Sequence, residues 1–288
     1  MTLEQTTQSM DGAKLASRLL VETAQRAHRF RIERGRPPCL AAVLARDDPV
    51  STAYARLKQS RCDSAGIDLQ LLESSNDSTE SEVVAAVFRL STDQRIDGIF
   101  VQHPLPRHIN TSGLTESIVP HKDVDGATRH SFASMAFGLP THKTCSPAGV
   151  MLLLDEYGVD PVGKHVVILG RAPRFGLPMG MLFLRRNATV TYCHPHTRDI
   201  EGVVRSGDIV VASVGVPGFV RGSWIKPGSV IVDAGYFNPG HVGDVALNET
   251  LGIASLVAPV PGGVGPVTIA VLLQQTVNAA EFLYSGSP

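Results

Sequence analysis

Gly163-Lys164-His165-Val166-Val167-Ile168-Leu169-Gly170-Arg171-Ala172-Pro173-Arg174-Phe175-Gly176-Leu177-Pro178 is the stretch on which the fold turns. His165–Leu169 is short, apolar and rich in β-branched residues, which reads as a strand buried on both faces. It enters a loop bounded by Gly170 and Gly176, and a helix over Met179–Arg186 follows. Strand, glycine-bounded loop and helix start suit a pyrophosphate, because the unpaired N–H groups of a helix N-terminus point at the ligand. The loop is not G-x-G-x-x-G, so as a generic dinucleotide signature it is weak by itself.

Beyond this stretch, Ala188–Tyr192 reads as the next strand, and the apolar runs Ile209–Val214, Val230–Val232 and Ala254–Val257 supply more parallel strands. Pro266 is placed to open a last helix, Val267–Tyr284, since proline is tolerated at a helix start. The same alternation fills the N-terminal half. A helix carrying Leu15, Leu19, Ala24 and Ala27 on one stripe follows Asp11-Gly12 and stops at Gly35-Arg36-Pro37-Pro38. Then come a strand over Cys39–Ala45, a break at Arg46-Asp47-Asp48-Pro49, and a helix from about Ser51 to Ala65 closed by Gly66. Ile67–Leu72 reads as a strand, Thr79-x-x-Glu82 as a capping box before Val83, Val84, Val87 and Leu90, and Asp97–Gln102 as a third strand. The expectation is two α/β lobes with parallel sheets and a cleft between them, the second lobe a Rossmann-like dinucleotide-binding domain. The boundary falls around Thr141–Pro147: residues 1–146 with a C-terminal helix of about 267–288 form one domain, and 147–266 the other.

Composition narrows the function. The 288 residues are 43% hydrophobic and 18% charged, which is ordinary for a globular chain and excludes a disordered one. A formal net charge of −1 without clustered Lys or Arg argues against nucleic acid, whose binding rests on phosphate neutralisation. Cys39, Cys62, Cys145 and Cys193 form no C-x-x-C pair and no zinc spacing, so they read as reduced thiols. The N-terminus has no apolar signal region, and runs such as Val150–Leu154 are far too short to span a membrane. The expected location is the cytoplasm, with no metal, no membrane and no nucleic acid.

Four further constellations carry candidate chemistry. In Ser51-x-x-Tyr54-x-x-x-Lys58 the ring and the amine share a helix face, so a tyrosine could stack on a flat ligand while the amine moves protons. An exposed lysine beside a half-buried tyrosine is the plain alternative. A Tyr-x-x-x-Lys pair also occurs in short-chain dehydrogenases, but there it follows the nucleotide loop, whereas here it precedes Gly170. In Asp97-Gly98-Ile99-Phe100-Val101-Gln102-His103-Pro104-Leu105-Pro106, Gln102 stands at the carboxyl end of a parallel strand, where α/β sheets bind ligands. Its amide could hold Lys58, or merely cap a loop. Lys122-Asp123-Val124-Asp125-Gly126 sets two carboxylates in a loop. A carboxylate can take adjacent N–H donors of a pterin bidentately, while a metal would need more ligands than two aspartates. A solvated acidic turn remains open. Finally, Pro259-Val260-Pro261-Gly262-Gly263-Val264-Gly265-Pro266-Val267-Thr268 alternates glycine, which lets backbone approach a ligand, with proline, which fixes the loop. Cys193-His194-Pro195-His196 closes the strand after the glycine loop, near where an adenosine ribose would lie.

In this order, the motifs resemble the bifunctional methylenetetrahydrofolate dehydrogenase/cyclohydrolase (FolD) family, over nearly the whole chain from Asp11-Gly12 to the last helix. The most specific pieces are Tyr54-x-x-x-Lys58, DGIFVQHPLP, KDVDG, GRAPRFGLPM, FVRGSWIKPG and PVPGGVGPVT. The resemblance implies oxidation of 5,10-methylenetetrahydrofolate with NADP (NAD being possible) and hydrolysis of the methenyl product, in a homodimer. It implies Lys58 as the catalytic amine, Gln102 as the group that tunes it, and Asp125 as the pterin-binding carboxylate. Tyr54, Ser51, Pro259, Gly262 and Gly263 would also meet the folate. Gly170, Arg171, Ala172, Arg174, Gly176, His194, Gly215, Tyr236 and Thr268 would meet the cofactor, with Arg171 and Arg174 offering charge to a 2′-phosphate. A charged ammonium would oppose the methenyl cation, so Lys58 is expected to have a depressed pKa, kept neutral by burial and Gln102.

The chain departs from the family pattern at Ala172, where Ser is usual, at Phe175, where Val is usual, and at His103, where Leu is common. After Val232-Asp233 the usual Gly-Ile-Asn becomes Gly235-Tyr236-Phe237. Most departures fall on the cofactor side, so cofactor affinity or preference is expected to differ, with dehydrogenation more at risk than hydrolysis. Two other functions stay open: a specialised, cyclohydrolase-dominant paralogue serving a dedicated pathway, and a non-catalytic folate- or nucleotide-binding regulator. The retained Lys58 argues against the last, since binding alone needs no proton-transfer amine.

Overall fold

The computed structural model describes residues 6–45, 58–237, 240 and 242–285, with side chains to Phe282. Ser51, Tyr54 and the break at Arg46–Pro49 lie outside the described residues. The chain divides into two units. One combines the segment up to Ala16 with Ser146–Thr268; the other combines Ser17–Cys145 with the chain from Ile269 onward.

In the first unit, six parallel strands run in the order β1-β9-β8-β7-β5-β6. They are β1 (Gln8–Ser9), β5 (His165–Leu169), β6 (Thr189–Cys193), β7 (Ile209–Ala212), β8 (Val230–Asp233) and β9 (Leu256–Ala258). Val166–Leu169 and Ile209–Ala212 are fully buried, as central parallel strands covered on both faces must be. Helices α6 (Cys145–Glu156), α7 (Gly176–Leu184), α8 (Ile200–Ser206) and α9 (Leu247–Thr250) complete it, with α6 starting at its border. The chain leaves β5 for β6 on one side and then crosses to β7 on the other, so strand order reverses beside β5. Such a reversal leaves a crevice at the carboxyl ends of the strands.

The second unit has a three-stranded parallel sheet, β3-β2-β4, of β2 (Cys39–Ala45), β3 (Asp68–Ser74) and β4 (Gly98–Val101). Leu40–Leu44 of central β2 are buried on both faces. Long helices α1 (Gly12–Arg34) and α10 (Val264–Ser285) carry the chain between the units. Within the second unit Arg26 of α1 donates to Asn278 of α10 at 2.6 Å. The other helices are α2, described over 58–65, α3 (Glu80–Thr92), α4 (Thr111–Thr115) and α5 (Arg129–Phe137). On α3 the Thr79–Glu82 capping box forms as read, and Val83, Val87 and Leu90 pack on Ile99 and Val101 of β4.

Two helix starts differ from the sequence expectation. Helices α7 and α10 begin at Gly176 and Val264, ahead of Pro178 and Pro266. Proline in the first turn forfeits only an N–H that has no intrahelical partner, so it does not mark the first residue. Helix α6 escapes periodicity altogether: Val150, Met151, Leu153 and Leu154 are all buried, leaving no polar stripe to reveal a helical period.

A glycine ties this frame to the loop that follows η1, a single turn over Pro120–Lys122. A Cβ on Gly98 of β4 would lie 2.7 Å from Cγ1 and 2.8 Å from Cγ2 of Val124. Gly98→Ala should therefore destabilise the protein by about 1–3 kcal/mol, the usual cost of overpacking. Adding Val124→Ala should recover part of it, because the two sites share one space. Urea unfolding at unchanged slope measures both; a Gly98→Ala midpoint equal to that of the parent would contradict this packing.

Candidate active site

The second unit brings Lys58, Gln102 and Asp125 together. Lys58 and Cys62 lie one turn apart on α2 and both side chains are buried. From β4, Phe100 and the adjoining Gln102 project to one face by the period-two rule, opposite Ile99 and Val101, which enter the core. Both meet Lys58. Its Nζ donates to Gln102 Oε1 and stands 4.4 Å from the centre of the Phe100 ring. Gln102 Nε2 donates to the His103 carbonyl at 2.8 Å, and that bond turns the amide oxygen toward the amine.

With only 6% of Lys58 exposed, burial lowers its amine from 10.5 to about 8, against the pull of the Asp125 charge, which raises it. At pH 7 this leaves about a tenth of the amine uncharged, against about three parts in ten thousand at the ordinary value. The lowering comes from burial. An amide oxygen accepting from an amine does not disfavour the ammonium, so the part of Gln102 is orientation. Burial also keeps the neighbouring thiols protonated, pushing Cys62 up to about 12 and Cys145 well above its usual value.

The two aspartates of Lys122-Asp123-Val124-Asp125-Gly126 do different things. Asp123 is fully buried and accepts from Ala127 N at 2.9 Å, Thr128 N at 2.8 Å and Ser131 Oγ at 2.6 Å. It builds the loop. Val124 is pinned through its carbonyl, which accepts from Gln275 Nε2 at 2.8 Å and from the Cys145 thiol at 3.2 Å. Gly126 has φ +59°, and a Cβ there would sit 2.5 Å from the backbone of Lys143 and Thr144. A loop fixed at its start, middle and end presents Asp125, half-buried, within electrostatic reach of Lys58.

The residues expected to meet a dinucleotide lie in the first unit, mostly at the carboxyl ends of its strands. Gly170 follows β5 with φ +110°, and a Cβ there would come 2.2 Å from the Ser213 carbonyl oxygen after β7. Gly176 opens α7, and its missing Cβ would lie 2.3 Å from the Gly170 oxygen. Arg171 and Ala172 are exposed on the loop between them, Arg174 is half-buried, and Phe175 caps α7 without a side-chain hydrogen bond. His194 follows β6, where its backbone N–H donates to Thr197 Oγ1 at 2.9 Å. Gly215 follows β7 with φ +76°, and Tyr236, 45% exposed, follows β8. Pro259, Gly262 and Gly263, expected to meet the folate and not the dinucleotide, also lie in this unit, after β9; Gly263 N donates to the Pro259 carbonyl at 2.9 Å. Thr268 differs, sitting on α10 with its hydroxyl donating to Ser146 Oγ at 3.1 Å. No group of three or more His, Cys, Asp or Glu suited to a metal occurs among the described residues.

A doubly wound unit with a buried, hydrogen-bonded lysine in its companion defines an α/β enzyme of the dinucleotide-binding class. Residues 10–125 match the family model described as tetrahydrofolate dehydrogenase/cyclohydrolase, catalytic domain, and residues 144–283 match that family's NAD(P)-binding domain. The chain belongs to the tetrahydrofolate dehydrogenase/cyclohydrolase family. It is 50% identical over 280 residues to bifunctional protein FolD 1 of Streptomyces avermitilis, covering 97% of each chain. Among solved structures it is similar to the bifunctional FolD enzyme of Campylobacter jejuni, with a TM-score of 0.93 and 34% identity over 96% of this chain and 99% of that one. The Trypanosoma brucei FolD, complexed with NADP cofactor and inhibitor, gives a TM-score of 0.92 and 32% identity, covering 96% of this chain and 98% of that one.

Sequence reasoning missed Phe100, Cys145 and Gln275. Phe100 was open to discovery, being two residues before Gln102 on one strand and so on its face. Nothing local marks the other two, which reach the loop across long sequence separations. The split between the aspartates is testable. Asp123→Asn should cost about 2–4 kcal/mol, since an amide cannot accept from three donors, whereas Asp125→Asn should stay within about 1 kcal/mol. Equal losses for the two, by chemical denaturation, would contradict the division.

Proposed function

We propose that this protein oxidises 5,10-methylenetetrahydrofolate to the 5,10-methenyl form with NADP and hydrolyses that product to 10-formyltetrahydrofolate. The observation that carries the reading is the buried Lys58 amine, oriented by Gln102 and lowered to about 8. Residues 1–146 with the helix from about 267 carry the folate chemistry, and residues 147–266 the dinucleotide. The fit to a dinucleotide rests on Gly170 and Gly176, whose missing Cβ atoms keep the loop tight at the strand-order reversal, and on the α7 start without a side-chain cap. Arg171 and Arg174 favour a 2′-phosphate, hence NADP over NAD. When bound, the nicotinamide supplies a hydride acceptor.

The chain's own residues do the rest. Asp125 takes N–H donors at the edge of the pterin, and Tyr54 and Ser51 hold the ring and its surroundings. Loss of hydride from the one-carbon bridge leaves a cation, and an uncharged Lys58 does not oppose it. A nearby cation in turn disfavours protonation of the amine. The uncharged Nζ then takes a proton from the water that adds to the methenyl carbon. Ring opening follows as the adduct's hydroxyl loses its proton to form the C=O bond, the C–N bond breaks and the departing nitrogen takes up a proton, giving the formyl product. Pro259, Gly262 and Gly263 offer close backbone approach to the folate. We further propose a cytoplasmic homodimer. Four free cysteines and the lack of any membrane-length helix among the described residues support the location, and family membership supports the dimer.

Following methenyltetrahydrofolate absorbance with NADP, then NAD, then no cofactor separates the two activities. Lys58→Met should lower hydrolysis at least about 100-fold, the scale of general acid–base catalysis, in a protein that remains folded. The hydrolysis rate of the parent should rise with pH to a plateau above about 8, because the working form is the deprotonated amine. Undiminished hydrolysis in Lys58→Met, or a rate that falls as pH rises through that range, would overturn the proposal.

A further inference from the structure

Two buried carboxylates in the first unit have no part in the chemistry above. Asp233 closes β8 and is 3% exposed; Asp244 is fully buried at the far foot of an excursion that leaves β8 and returns near Val245. Both feet of that excursion are tied to Asp233. Its Oδ1 accepts from Gly235 N at 3.0 Å and Asp244 N at 2.9 Å, and its Oδ2 from Val245 N at 2.9 Å. Asp244 reaches in turn to the loop after β7. Its Oδ2 accepts from Val214 N at 2.5 Å and Gly215 N at 3.2 Å, and its Oδ1 from Val216 N at 2.9 Å. Space is closed as tightly as the polar groups. A Cβ on Gly235 would lie 2.4 Å from Asp244 Cγ, and one on Gly243 would lie 2.0 Å from Asp233 Oδ2.

These bonds lock together the loops after two neighbouring strands, one bearing Gly215 and the other Tyr236. The pyrophosphate loop follows β5 and the adenosine side lies toward β6, so the loops after β7 and β8 flank the other half of a dinucleotide. We propose that Asp244 is a positioning residue. Its carboxylate fixes Val214–Val216 and the root of the Tyr236 excursion as one preformed wall, against which the nicotinamide half of the cofactor seats. A wall that need not be ordered on binding spares the cofactor that entropy. The inference rests on the NADP-dependent reading above, and it places the control of cofactor affinity on a residue that need not touch the cofactor.

Asp244→Asn tests it. Whichever way the amide turns, its NH2 faces at least one of three backbone N–H donors, so the loop must shift. NADP affinity, titrated directly on the purified protein, should fall at least about tenfold, and KM for NADP should rise with it more than kcat falls. Cofactor-free hydrolysis of methenyltetrahydrofolate should stay within about twofold, which a general loss of folded protein would not allow. Should Asp244→Asn not fold, Val216→Pro removes one of the donors at an exposed position and should weaken NADP in the same direction. Unchanged NADP affinity in a folded variant, or binding and cofactor-free hydrolysis falling together, would overturn the proposal. A parent chain lacking both activities would sink the functional reading instead, while the binding titration would still report on Asp244.

Discussion

Removing one ammonium from water is the constraint around which the catalytic unit is organised. Lys58 is lowered to about 8 because protein, not solvent, surrounds it, and that environment is expensive to assemble. The unit does so with a parallel sheet whose third strand delivers Phe100 and Gln102 to one face. The neutral amide of Gln102 accepts from the amine and orients it, and Asp125 stands near enough to oppose the shift but not to abolish it. The result is an amine poised between its charge states close to physiological pH, which is where a proton-transfer group works best.

The rest of the second unit holds Asp125 in place against that amine. Asp123, Gln275, Cys145 and Gly126 share the work, each by a different physical device: carboxylate acceptance, amide clamping, a thiol hydrogen bond and a left-handed backbone. The first unit uses carboxylates in the same way, with Asp233 and Asp244 gathering six backbone N–H groups between them. In both units a buried aspartate sets a loop by accepting from its backbone.

Much of the fold was legible because parallel strands are short apolar runs between glycine and proline punctuation. His165–Leu169 is read to the residue, and the Thr79–Glu82 box marks α3 by its own chemistry. Helix α6 was not legible, since a continuous apolar run through its middle, Val150–Leu154, leaves no period to detect. The edge strand Gln8–Ser9 was not either, since two residues carry no pattern and its pairing with β9 spans most of the chain. For the site, Lys58, Gln102 and Asp125 stood out through spacing, strand position and resemblance. The division of labour between Asp123 and Asp125 could not be seen, because both are aspartates in one loop and only their hydrogen-bond partners differ. Ser51 and Tyr54 lie outside the described residues, so their part stays with the functional proposal.

Burial should make Lys58 titrate far below an ordinary lysine. Heteronuclear NMR of the lysine Cε–Nζ groups in the intact protein, with Lys58 assigned by its loss in Lys58→Met, measures this directly. One lysine should titrate near pH 8. A Lys58 midpoint at about 10.5, the value of a solvated amine, would contradict it.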